Sequence, residues 1–88
     1  MSQILYDLNH TGVEFLLVDL DLALTFMAVA AASHIEETRH RNHHNARTAY
    51  DTVLRLLGKL TPDAGQRQAI DARVADLKKR LQAVGQQF

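Results

Sequence analysis

Between Val13 and Ala32 the apolar residues follow a helical period on two sides at once. Val13, Leu17, Leu20, Leu24, Met27 and Ala31 make one stripe, and Phe15, Val18, Leu22, Phe26 and Val29 make a second, each keeping the three-and-four spacing of residues that share a helix face. Only a thin ridge of Glu14, Asp21 and Thr25 is polar. Further along, Ile35, Ala46, Ala49, Tyr50, Val53, Leu56, Leu57 and Leu60 turn to one side of a second helix. Arg39 and Asn42 interrupt that side and need partners if they are buried. A third segment carries a narrower stripe at heptad spacing, Ile70, Val74, Leu77, Leu81, Val84 and Phe88, suited to one seam between two neighbours.

Punctuation agrees with three helices. Thr11-Gly12-Val13-Glu14 and Ser33-His34-Ile35-Glu36 both have the form in which a hydroxyl caps the third amide and a glutamate reaches back. Thr61-Pro62-Asp63 offers a hydroxyl cap, a proline where its missing N–H costs nothing, and a carboxylate at the positive helix end. Gly58 and Gly85 stand where the second and third helices stop. The reading is an all-α, antiparallel three-helix bundle, with helices over roughly 12–32, 34–58 and 62–84. Residues 11–88 form a single domain, and residues 1–10, with Ile4, Leu5 and Leu8, form an N-terminal segment that adds a short helical turn over one end.

The first helix cannot satisfy both of its stripes inside such a bundle, because two neighbours do not surround it. A second subunit, a partner helix or residues 1–10 must cover the rest. Self-association through Phe15, Val18, Leu22, Phe26 and Val29 is the expectation, with a helical protein partner as the alternative.

Charge changes the picture in one respect. The chain is neutral overall, yet residues 1–33 hold Asp7, Glu14, Asp19 and Asp21 and no lysine or arginine, whereas residues 34–60 and 61–88 each hold five basic and three acidic groups. An acidic first helix should pack against two basic ones. Glu14, Asp19 and Asp21 also argue against a bilayer-spanning reading of Val13–Ala32, and no basic region precedes it as in a signal peptide. With no cysteine, disulfides, thiolate metal sites and a cysteine nucleophile are excluded. A cytoplasmic protein is expected.

Candidate chemistry concentrates in Glu37-Thr-Arg-His-Arg-Asn-His-His-Asn-Ala-Arg47. Glu37, His40 and His44 share a face of the second helix, and two imidazoles with a carboxylate suit zinc or another divalent metal. Arg41 and Arg47 flank them and repel a cation, so the expected state is a solvated polar face without a cofactor, a metal site being the alternative. Arg39, Arg41, Arg47, Arg55 and Lys59 make a positive surface, but Glu36, Glu37 and Asp51 on the same helix and the zero net charge weigh against nucleic acid. Asp19 falls among apolar positions and calls for an ion pair, with Arg47 of the antiparallel second helix as its partner. No nucleophile, phosphate loop or paired carboxylates point to an enzyme.

The run Ala-Arg-Thr-Ala-Tyr-Asp-Thr-Val-Leu-Arg-Leu-Leu (46–57) and the later Arg-Gln-Ala-Ile-Asp-Ala-Arg-Val-Ala-Asp-Leu-Lys-Lys-Arg-Leu (67–81) resemble the second and third helices of MIT domains, three-helix modules akin to tetratricopeptide hairpins. The likeness rests on Ala46, Tyr50, Leu54, Leu57, Ile70, Val74, Leu77, Arg80 and Leu81. It implies a groove for a short helical motif, contacted through Arg73, Leu77 and Arg80; the phenylalanine-rich first helix departs from the pattern. The combined reading is a non-enzymatic interaction or structural module, the alternative being a histidine-dependent metal-binding helical protein.

Overall fold

The computed structural model describes residues 2–88 and contains three helices, α1 (Ser2–Ala32), α2 (Glu36–Leu57) and α3 (Ala64–Ala83). The links at 33–35 and 58–63 are short, which sets successive helices antiparallel. Cross-links confirm the directions: Asn9 meets Thr61 and Asp21 meets Arg73, so α1 and α3 run the same way, while Arg47 of α2 meets Gln86 beyond the end of α3. The all-α three-helix bundle expected from the periodicity is the observed architecture, drawn out to 51 × 18 × 18 Å.

The elongation comes from α1, whose 31 residues extend about 46 Å. Residues 2–10 are its opening turns rather than a separate segment folded over the bundle end, and Met1 lies outside the described residues. The capping signal at Thr11 is overruled because nothing ahead of it breaks a helix. Gln3 Nε2 donates to Asp7 Oδ1 one turn on (3.0 Å). Asn9 fastens this turn to the α2–α3 link, its Oδ1 accepting from the Thr61 amide (2.7 Å) and hydroxyl (3.1 Å) while its Nδ2 donates to the Thr61 carbonyl (3.0 Å). Gly12 allows the link to come close: a Cβ there would stand 2.7 Å from Leu60 Cδ2.

Packing selects one face of α1. Val13, Leu16, Leu20, Ala23 and Met27 are buried against Ala46, Ala49, Tyr50 and Val53 of α2 and Ile70, Leu77 and Leu81 of α3, and Ala30 continues the same face, fully buried. The inner stripe is thus rotated from the expected one, with Leu17 and Leu24 at its margin and Ala31 exposed. Both polar intrusions in α2 find partners, Asn42 donating to the Thr38 carbonyl (2.8 Å) and Arg39 to the Ser33 carbonyl (3.2 Å).

The remaining caps shift by small amounts. Ser33 Oγ accepts from the Ile35 amide (3.1 Å), one residue short of the Glu36 amide that a capping box would use, and Ile35 itself is the N-cap without a side-chain bond. At α3 the box is built by Asp63 and Gln66, not by Thr61. Gly58 stays right-handed, whereas Gly85 has φ 95°, the left-handed position that a glycine takes readily. Gln86 N–H returns to the Leu81 carbonyl and Gly85 N–H to that of Gln82 (both 3.0 Å), the paired closure of a Schellman motif.

Asn9 makes its bonds at the surface, so Asn9→Ala is expected to lower the unfolding free energy by about 1 kcal/mol. A urea midpoint equal to that of the parent would show that the first turns of α1 are not held by this link.

Candidate interaction surface

Because α1 is continuous from Ser2, its outer residues fall into one register. Leu8, Phe15, Leu22 and Val29 are spaced by sevens, and Ile4, Thr11, Val18 and Thr25 interleave with them by sevens, the spacing that coiled-coil seams use. The inner residues form a second heptad row, its centre about 140° around the helix at 100° per residue. Ile4 is 65% exposed, Leu8 64%, Phe15 51%, Val18 64%, and Leu22 and Val29 46% each. Phe26 departs from the expected interface set: it is half-buried and packs against the core. Reading residues 1–10 as a separate segment hides Ile4 and Leu8 from this row; the heptad offset from Phe15 is the signal that recovers them.

Two edges border the seam. Asp7, Glu14 and Asp21 make an acidic edge at one heptad spacing, and Asp21 accepts from Arg73 Nε of α3 (2.8 Å). On the other edge Asp19 is half-exposed and has no ion-pair partner among the described residues. Partial burial raises its carboxyl pKa from the ordinary aspartate value.

The expected Asp19–Arg47 pair does not form, because Arg47 turns towards the C-terminal tail. Its Nε bonds Asp51 one turn on (3.1 Å), while its Nη1 donates to the Gln87 carbonyl (2.8 Å) and Gln86 Oε1 (3.3 Å). The guanidinium lies 4.0 Å from the Phe88 ring centroid, and Phe88 meets Tyr50 edge-on at 5.0 Å. A cation over an aromatic face, reinforced by hydrogen bonds, holds the tail on α2.

The histidine stretch lies on the open side of α2. His40 approaches Glu36 at 3.8 Å with both side chains largely exposed. Glu37 and His44 are exposed too, and no three His, Asp or Glu side chains among the described residues converge to hold a metal ion. His43 is half-buried; desolvation first, then the charges of His40 and Arg39, lower its pKa. It lines an open cleft of about 430 Å³ at the end of the bundle with Arg39, Arg80, Met27, Ala28 and Val84.

By length and composition Gln3–Ala32 would also cross a membrane, against the expectation drawn from its acidic residues. Its inner row, however, is packed inside the bundle. No family model, curated protein or solved structure matches the chain. Of the contacts implied by the MIT-like resemblance, Leu77 is fully buried, and Arg73 and Arg80 are engaged with Asp21 and Asp76.

A raised folded-state pKa at Asp19 means that its ionised form opposes folding. Its contribution is most favourable below the unfolded pKa and is lost as pH rises through the folded value. Asp19→Asn is therefore expected to raise the urea midpoint at pH 7 and change it little at pH 3.5. A lower midpoint at pH 7 would mean that the charge is stabilised by a partner.

Proposed function

We propose that this chain is a non-enzymatic helical interaction module that self-associates through the outer face of α1. One observation carries the reading: Phe15, Val18, Leu22 and Val29 are each about half exposed or more, on a helix whose opposite face is already core. Contiguous apolar surface of this extent on a folded domain is the mark of an interface. Phe15, Val18, Leu22 and Val29 are the contact set, extended by Ile4 and Leu8; Phe26 lies at its edge. A partner helix from another protein would use the same seam.

The test is the absolute mass of the tag-free protein by light scattering across a concentration series, with Phe15→Asp alongside. The parent is expected to be a dimer or higher oligomer, and Phe15→Asp a monomer with unchanged helical circular dichroism, since Phe15 is not part of the core. A parent that is monomeric at every concentration would overturn the reading. So would a parent that stays monomeric yet floats with phosphatidylcholine vesicles, which would make the bilayer the occupant of this face.

A further inference from the structure

Resting on that self-association, we infer that two copies pair antiparallel along α1, with Phe15 and Val18 beside the two-fold axis and the acidic edge of each α1 lying along α3 of the other copy.

The register follows from the order of residues in the seam. Antiparallel pairing about Phe15 and Val18 sets Phe15 against the partner's Val18, Thr11 against the partner's Leu22, Leu8 against the partner's Thr25 and Ile4 against the partner's Val29. Every layer then contains at least one large apolar side chain, and each threonine meets a leucine. Parallel pairing instead stacks Thr11 on Thr11 and Thr25 on Thr25, and it brings Glu14 towards the partner's Asp19, a carboxylate already partly desolvated without a counter-ion. Asp19 has no ion-pair partner among the described residues to offset that like-charge contact, whereas the antiparallel register sets Glu14 beside Asp21, which Arg73 already holds.

Charge complementarity supplies the second argument. In an antiparallel pair the acidic edges face one another, so Glu14 arrives near the partner's Asp21 and Asp7 near the partner's Ala28. Both neighbourhoods are basic: Arg73 holds Asp21 at 2.8 Å, and Arg80, seven residues further along α3, shares a cleft with Ala28. The side chains of Arg73 and Arg80 are 34% and 49% exposed, open to a further carboxylate. The two acids and the two arginines thus have the same heptad spacing, run in opposite directions. On the other edge, exposed Leu5 comes beside the partner's half-buried Phe26. The seam presents six large apolar side chains, Ile4, Leu8, Phe15, Val18, Leu22 and Val29, each about half exposed or more, as the apolar centre of an interface.

The chain has no cysteine, so disulfide mapping in a glutathione buffer reads the register directly. Leu8→Cys mixed with Thr25→Cys is expected to give a covalent heterodimer, while either variant alone stays largely uncrosslinked because like positions are far apart. Rapid self-crosslinking of each variant alone would establish a parallel pair, and a stable dimer giving neither pattern would place the interface elsewhere; both overturn the antiparallel register and leave self-association standing. A monomeric parent would remove the reading on which the register rests. Arg73→Glu should weaken dimerisation about tenfold and Glu14→Arg in the same chain should restore it; loss without restoration would contradict the charge pairing.

Discussion

A helix with two apolar faces cannot be satisfied by a three-helix bundle, and the rest of this molecule follows from how α1 divides them. One heptad row, Val13 to Met27, is packed into the core with α2 and α3, and Ala30 continues it, buried. Those two helices pack their apolar side chains on the inner row: α3 contributes Ile70, Leu77 and Leu81 as buried side chains, and α2 is polar over its first two turns. The outer row of α1 is therefore left in water by the composition of its neighbours, not by any irregularity of the helix.

Electrostatics works around this division. The acidic helix lies between two basic ones, yet only Asp21 and Arg73 form an ion pair between α1 and either neighbour among the described residues; the other acid–base pairs lie within single helices, one turn apart. Exposed pairs of that kind contribute a few tenths of a kcal/mol each, so the bundle is held by its apolar seam and positioned by specific ties. Asn9 to Thr61 fixes one end and Arg47 to the tail fixes the other. Both ties restrain chain segments that would otherwise fray, and both lie away from the outer face of α1.

The three helices, the connecting links and the excess apolar surface of α1, with Phe15, Val18, Leu22 and Val29 exposed, were legible in the sequence, because periodicity reports burial over many residues at once. Local chemistry was less legible. The Thr11 capping pattern could not reveal that Ile4 to Asn9 continue the helix, since a capping box describes a possible start and the tie that holds the earlier turns comes from Thr61, far along the chain. Arg47 could be placed on the α1-facing side of α2 only by ignoring the tail: Phe88 supplies an aromatic face that a spacing argument does not contain. An inner row centred on Leu17 and Leu24 places Phe26 in the outer stripe; the observed row through Leu16 and Ala23 carries Phe26 to the edge. Glu37, His40 and His44 lie on the exposed side of α2, and a shared helix face does not make side chains converge on one ion.

The inner row of α1 is covered by the chain's own α2 and α3, and the outer row is the face proposed to be covered by a second copy. Hydroxyl-radical footprinting over a range of protein concentrations separates the two rows within one helix. The account predicts that Leu16 and Leu20 are protected at every concentration, whereas Phe15 and Leu22 react when dilute and become protected as the concentration rises. Phe15 and Leu22 reacting equally at all concentrations would contradict it.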